Sequence, residues 1–599
     1  MKKNYLLLLM TVLYAVLASA QTPTITSFNP KRGGVGTTIT ITGTNFNTTP
    51  ASNIIWFGAV KSPALTATAT TITVKVPAGA AYERISVTSG GLTAWSRENF
   101  LPTFAGTGTI DNNTLAENFD FPFGNFTGLG ELEVVDIDGD GKPDVAKSSN
   151  ITISFFRNTS TPGVIDSSTM APRYDLNILS TTDENKIINF KFSDIDNDGK
   201  KDLLCLYYKN FFLSSPSVLN VDLAIYKNQS VSGSINSSSF ATAVVKRIAQ
   251  IVASPISSCS TFFTTGDMEK GDLNADGKED LIITLRMSNS ICDLTDFAYL
   301  LQNNYTGSIT TSTYSPTALS GALSFLSVSN INTDSKPELI ANKTIYRNIS
   351  STGGVITFGS GFSFISSTAP GFDPYFVDFD LDGKNDYFYF SAIRQNNVNG
   401  PVIDNSTFGS QFDLPGGSAS FVDKSTFLDV NGDGSIDICR GGNAIIGLTP
   451  NIHTNGALAA TSFGATTSFG TFGGNPYKLN SQDIDLDGKS DLIFCNSGNF
   501  LSIMRNQTPS SGAIVSIGTL SAGLGSTASI PVTANTLNGI EGFQFTISYD
   551  PAKLSYFNCS NWPSGIDPAN VLITDNPATG KLTFIYNDVA FTIANGNFF

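Results

Sequence analysis

Short apolar runs, most of four to six residues, set the rhythm of this chain. Thr38-Ile39-Thr40-Ile41-Thr42 alternates polar and apolar positions, the period of a half-buried strand. Ile54-Ile55-Trp56-Phe57-Gly58, Thr73-Val74-Lys75-Val76-Pro77 and Ile85-Ser86-Val87-Thr88 follow at the spacing of a small β-sandwich. Further on, Leu132 to Val135, Leu203 to Leu206 and Leu281 to Thr284 are again strand-length and too short for helices. The pattern predicts an all-β protein.

From Asp136 onward the apolar runs flank one recurring polar stretch, D-x-D-x-D-G-x-x-D. The first copy places Asp136, Asp138, Asp140 and Asp144 at positions one, three, five and nine. The second has Asp194, Asp196, Asp198 and Asp202; the third, Asp272, Asn274, Asp276 and Asp280. A worn fourth runs Asn330, Asn332, Asp334, Ser335 and Glu338. The fifth has Asp378, Asp380, Asp382 and Asp386; the sixth, Asp429, Asn431, Asp433 and Asp437; the seventh, Asp483, Asp485, Asp487 and Asp491. First positions are 58, 78, 58, 48, 51 and 54 residues apart, the spacing of a repeat architecture.

Oxygens at alternate positions converge on one point if the chain turns tightly after them, and the glycine at position six permits that turn. A backbone carbonyl near position seven and the position-nine carboxylate complete a hard-oxygen cage of the kind calcium prefers. The EF-hand and dockerin patterns both need an acid at position twelve. Here that position is Lys147 in the first loop and Arg440 in the sixth, so neither applies. With strands on either side, each loop is expected at the tip of a β-hairpin. Six calcium sites are expected; the fourth loop, with two carboxylates and no glycine, departs from the cage.

Charge changes the picture only through these loops. The formal net charge is −15, and 24 of the 50 acidic residues sit at loop positions, so bound divalent ions would nearly neutralise the chain. No basic patch argues for nucleic acid. Charged residues are only 14 % of 599, with 54 glycines, a composition suited to a turn-rich extracellular protein. Residues 1–20 read as a signal peptide: Lys2 and Lys3, an apolar core from Leu6 to Leu17, then Ala18-Ser19-Ala20. No later stretch is apolar and long enough to span a membrane. Cys205, Cys439 and Cys495 fall on strands after loops and are expected as small core residues. Cys259 and Cys292 flank the third loop almost symmetrically and are expected to form a disulfide across its hairpin. Cys559 has no evident partner.

Three resemblances organise the chain. PTITSFNPKRGGVGTTITITGTNF, the WFGAV strand, VKVPAGA and ISVTSGG make residues 21–103 resemble the IPT/TIG immunoglobulin-like family, whose modules act as spacers or adhesive units. The D-x-D-x-D-G-x-x-D loops make residues 104–508 resemble the FG-GAP/VCBS repeat family, which includes the propellers of integrin α-chains. The resemblance implies a seven-bladed β-propeller with calcium held by loop positions one, three, five and nine. Each unit also carries a strand ending in an aromatic or apolar residue, a basic residue and Asn, as in Phe156-Arg157-Asn158, Tyr226-Lys227-Asn228 and Met504-Arg505-Asn506. Those Asn residues are expected to form turns at strand ends. Residues 512–599, with Gly542-Phe543-Gln544-Phe545-Thr546-Ile547-Ser548-Tyr549-Asp550-Pro551, resemble a cohesin-type β-sandwich, which implies a dockerin-like partner. That family's sequence continues past the point where this chain stops, so an incomplete sandwich is expected.

No catalytic constellation stands out. The sole histidine is His453, in Asn-Ile-His-Thr-Asn-Gly, without a nucleophile motif. Nearly half of the acids belong to the loops, where they must stay ionised and cannot serve as general acids. The expected function is therefore non-enzymatic: a secreted or cell-surface protein for adhesion or for binding an extracellular protein or polysaccharide, with calcium structural. The alternative is a lectin-like binder in a polysaccharide-utilising system; a polysaccharide-degrading enzyme ranks third.

Overall fold

The computed structural model describes residues 21–123, 130–180, 186–211, 218–252, 262–289, 295–319, 323, 326–334, 336–341, 344–363, 374–415, 421–510, 514–517, 532–535, 542–553, 555, 571–579, 581–587 and 596–597. Cys259, Cys292, Cys559 and residues 1–20 lie outside them. The strands flanking the third loop pair with Phe262 opposite Asn289, each residue three positions inward of one of those first two cysteines. The described residues contain strands and two short 3-10 turns, and no helix long and apolar enough to cross a membrane. The chain divides into two compact units, Met1–Phe104 with Gly108–Thr508, and Ala105–Thr107 with Pro509–Phe599.

The first unit opens with a sandwich. One sheet orders Thr24–Asn29, Thr38–Thr44, Thr71–Lys75 and Ala64–Ala67; the other orders Arg32–Gly33, Leu92–Pro102, Glu83–Ser89, Asn53–Phe57 and Val60–Ser62. The alternation read from the sequence is the burial pattern of Thr38–Thr44, with Ile39 and Ile41 inside against Ile72, Val74, Ile85 and Phe100.

Seven four-stranded antiparallel sheets follow. Sheet one is Leu132–Val135, Asp144–Ser148, Thr152–Phe156 and Tyr174–Asn177, paired in chain order. Sheets two to six repeat the order, their first strands being Lys186–Ser193, Phe262–Gly271, Leu326–Ser329, Tyr375–Val377 and Phe421–Leu428. Sheet seven is built differently. Pro476–Gln482, Asp491–Asn496 and Phe500–Met504 supply three strands, and Phe119–Pro122, from the start of the array, supplies the fourth. Sheets one to six thus take their fourth strand from the chain beyond the Asn at the end of the third, an element the apolar pattern did not single out.

Apolar residues of neighbouring sheets face each other and form the cores. Leu204 and Leu206 of sheet two pack with Leu281 and Ile283 of sheet three, and Val145 and Phe156 of sheet one pack with Ile484 and Ile493 from sheet seven. Fully burying each such side chain stabilises by about 1.5–3 kcal/mol before entropy is counted. Cys205, Cys439 and Cys495 are buried in these layers as free thiols. Polar links connect the same neighbours: Lys191 with Glu133 at 2.8 Å between sheets two and one, and Lys478 with Glu131 at 2.7 Å between sheets seven and one.

In the second unit, Gly542–Ser548 and Val571–Asn576 flank Lys581–Asn587 in one sheet, with Phe584 buried. Ile514–Ile517, Val532–Asn535 and Gly596–Asn597 form another.

Candidate metal centres

Each acidic loop joins the first two strands of its sheet, and position nine begins the second strand. Val135 pairs with Asp144, Ser193 with Asp202, Gly271 with Asp280 and Gln482 with Asp491. The loops are therefore hairpin tips.

The backbone explains the sequence of the loop. The position-six glycine has positive φ in all six loops that carry it, from 80° at Gly434 to 87° at Gly488. Its N–H donates to the position-one carboxylate: Gly141 to Asp136 at 3.0 Å, Gly199 to Asp194 at 2.9 Å, Gly277 to Asp272 at 2.9 Å and Gly383 to Asp378 at 2.9 Å. Position four is left-handed as well, occupied by Asn197, Ala275, Leu381 and Leu486 with φ near 56°. Only the first and sixth loops use glycine there, Gly139 and Gly432. The motif as read from the sequence did not include that requirement.

Position nine ties the loop to the sheet. One oxygen of Asp144 accepts the N–H of Ile137 at 2.9 Å, the other that of Asn158 at 2.8 Å. Asp202, Asp280, Asp386, Asp437 and Asp491 repeat both bonds with their own position-two residue and strand-three Asn. The Asn side chains then reach outward. Nδ2 of Asn158 donates to Ile484 O, that of Asn348 to Leu273 O, Asn396 to Ile331 O, Asn451 to Phe379 O and Asn506 to Val430 O, each on the preceding sheet's loop at 2.8–3.0 Å. These buried asparagines form the expected turns, Oδ1 accepting the N–H two residues on at 2.9–3.0 Å, and in addition clasp one sheet to another. Their sequence signal was the repeated Asn itself.

The carboxylates converge in four loops. Ligand oxygens of Asp136, Asp138 and Asp144 lie within 4.8 Å of one another, as do those of Asp194, Asp196 and Asp198, of Asp378, Asp380 and Asp386, and of Asp483, Asp485 and Asp491. In the third and sixth loops Asn274 and Asn431 take position three, and their amides donate to Asp276 at 3.4 Å and Asp433 at 3.1 Å. Asp140, Asp382 and Asp487 stand in their loops at position five, each accepting the N–H of position seven at 2.9–3.0 Å. In the fourth loop Asn332 Nδ2 donates to Glu338 at 2.8 Å, while Asn330 Oδ1 is buried without a hydrogen-bond partner.

Burial sets the electrostatics. It pushes the carboxyls of Asp136, Asp194 and Asp429 up to about 6, Asp272 and Asp483 to about 7, and Asp202, Asp280 and Asp378 to about 8, and it raises Asp144, Asp386, Asp437 and Asp491 well above the usual range. Asp194 Oδ1, Asp196 Oδ1 and Asp483 Oδ1 are buried without any hydrogen-bond partner, Asp483 being 3 % exposed. Such oxygens are costly unless a cation meets them. Where the residue before the clasp Asn is basic it engages outer oxygens: Arg157 reaches Asp138 at 2.8 Å and Asp140 at 3.3 Å, Arg505 reaches Asp485 and Asp487, and Lys227 reaches Asp196 and Asp198.

All seven loops meet the N-terminal sandwich. Asp136 N donates to Ala59 O at 2.9 Å, Lys61 Nζ to Gly199 O at 2.9 Å, and Thr93 N to Gly277 O at 2.9 Å. Asn330 Nδ2 donates to Arg97 O at 2.9 Å, and Arg97 itself donates to Gly383 O at 2.9 Å. Arg32 donates to Gly434 O, Thr103 to Asp429, and Gly79 N to Asp483 Oδ2 at 3.2 Å.

The IPT/TIG domain model matches residues 23–104 and the cohesin domain model residues 514–599. No curated protein matches the chain. Among solved structures, an auxiliary nutrient binding protein from Bacteroides thetaiotaomicron is 12 % identical with a TM-score of 0.28, and one from Bacteroides ovatus is 10 % identical with a TM-score of 0.27. Each match covers 81 % of this chain and 98 % of the other.

Proposed function

We propose that residues 104–508 form a seven-bladed β-propeller of the FG-GAP/VCBS kind, that its loops hold calcium, and that the chain works outside the cell by binding, with the metal structural. The observation that carries the metal reading is the set of buried, partnerless oxygens on Asp194, Asp196 and Asp483 within clustered acids. Positions one, three, five and nine of six loops would hold the ion, which when bound supplies positive charge to desolvated carboxylates. The propeller reading is supported by links between neighbouring sheets, including those that join the seventh to the first.

The N-terminal module, seated against all seven loops, makes that face an internal interface. Ligands are then left to the blade sides, the centre of the ring and the C-terminal unit. The cohesin match suggests a dockerin-like partner for that unit. His453, whose Nδ1 lies 3.2 Å from Ser462 Oγ in a loop, has no nucleophile to activate in this reading.

The test is a protein and polysaccharide binding screen on residues 21–599, run with calcium and with chelator. Calcium-dependent retention by a defined ligand class, without release of unsaturated or reducing ends, is expected. Release of such ends would replace the binder with an enzyme.

A further inference from the structure

Residues from all seven sheets, most of them on or beside the first strands, line one cavity of about 440 Å³. Most of its lining lies three to six residues ahead of the acidic loops, Glu131 and Lys478 each preceding position one by five residues and Lys191 and Tyr375 by three, while Thr284 and Arg286 follow the third loop by four and six. The cavity is thus about 10–20 Å along the strands from the metal loops and is separate from them.

Its chemistry is mixed. Lys191, Arg286, Lys424 and Lys478 bring cations from four different sheets, and Asp267 and Glu269 stand among them. Burial pushes the Glu131 carboxyl up, yet Lys478, Lys191 and Lys424 together hold it below its usual pKa, so three lysines bear on one point. Two of them sit where their strand breaks register. Pro476–Gln482 bulges between Tyr477 and Leu479, and Lys478 between them is left-handed, with φ 53°. Phe421–Leu428 loses register between Phe421 and Ser425, the stretch that carries Lys424. Bulges re-aim side chains, and a left-handed lysine carries a backbone strain that an ordinary strand would not incur.

We infer that this cavity is a binding site for a small anionic saccharide, its carboxylate taken by Lys424 and Arg286 and its hydroxyls by Asp267 and Glu269, with Lys191 and Lys478 kept in their pairs with Glu133 and Glu131. A cavity serving phosphate alone would gain nothing from interleaved acids, whereas sugar hydroxyls need acceptors. Tyr375 and Leu479 offer the apolar edge a sugar ring packs against. The volume lies in the range of small-ligand sites and holds about one or two sugar rings. The inference rests on the binding function proposed above.

The experiment is calorimetric titration of the calcium-loaded chain with digalacturonate, with lactose as the neutral disaccharide and with inorganic phosphate. Digalacturonate is expected to bind, to weaken about tenfold in Lys424→Gln and in Arg286→Lys, and to weaken with added salt; lactose and phosphate are expected not to bind. Melting curves show that each variant is folded; Lys478 is left intact because its pair with Glu131 joins two sheets. Equal affinity for lactose or phosphate overturns the ligand class. Digalacturonate binding unchanged in both variants overturns the cavity while leaving the protein a binder. Absence of digalacturonate binding by folded, loaded protein overturns the inference outright.

Discussion

The side-chain amide of Asn228 donates to the carbonyl of Ile137 at 2.8 Å and so joins sheet two to the acidic loop of sheet one. The same nitrogen reaches Lys201 O at 3.0 Å, and Oδ1 accepts the N–H of Ser230 at 2.9 Å. Asn228→Ala strands these buried groups and is expected to lower stability by about 3 kcal/mol in thermal or urea melts. Asn303, whose amide is bonded to Glu279 O within its own sheet at 3.1 Å, is the control. Asn303→Ala should cost less; an equal cost would remove the clasp from the account.

Metal removal acts on the whole ring. At millimolar calcium and micromolar affinity each site contributes about 4 kcal/mol by mass action. Chelation is expected to lower the melting temperature by many degrees, and Asp138→Ala, Asp196→Ala or Asp483→Ala to do so in part. An unchanged melt in excess chelator would refute the metal reading.

The fourth loop should stay empty. Its Asn332 amide already donates to Glu338 at 2.8 Å and to Asp334 at 3.2 Å, in place of a cation. Elemental analysis of loaded protein is expected to give about six calcium ions per chain, and Asn332→Asp to destabilise through repulsion with Glu338. Seven ions would show that the amide yields.

The pH dependence should invert with metal. In chelated protein burial holds Asp136 near 6, Asp272 near 7 and Asp280 near 8, all above the unfolded value. Raised carboxyls keep protons that the unfolded chain has released, so their contribution is full below about pH 4 and is lost as pH rises through about 6 to 8. Chelated protein is expected to melt higher at pH 5 than at pH 8, and loaded protein the reverse, since the cation requires ionised oxygens. The same ordering in both forms would count against it.

What the sequence disclosed and what it withheld follow from range. The loops were legible because alternate oxygens and the glycine at Gly141, Gly199 or Gly383 are local requirements. Strands beside them were legible from four-residue apolar runs. Asn158 and its counterparts were legible as turn formers, since Oδ1 accepts the N–H two residues on, but not as clasps, since the acceptors of Nδ2 lie on the neighbouring sheet, as with Ile484. The contact of Gly79 with Asp483 spans 404 residues, and nothing local marks either partner for it. Nothing in the sequence singles out Lys424 or Lys478, because a bulge leaves no trace in composition.

Sheet seven takes its outer strand from Phe119–Pro122, and Ser502 Oγ meets Asp120 at 2.6 Å across 382 residues of chain. A chain delivered from its N-terminus cannot complete that sheet until almost the entire array has emerged. Six sheets can assemble while the seventh waits, and Phe119–Pro122 meanwhile offers an unpaired edge. Maturation then has a late all-or-none step, and any product ending before Phe500 carries an open strand that must be shielded or degraded.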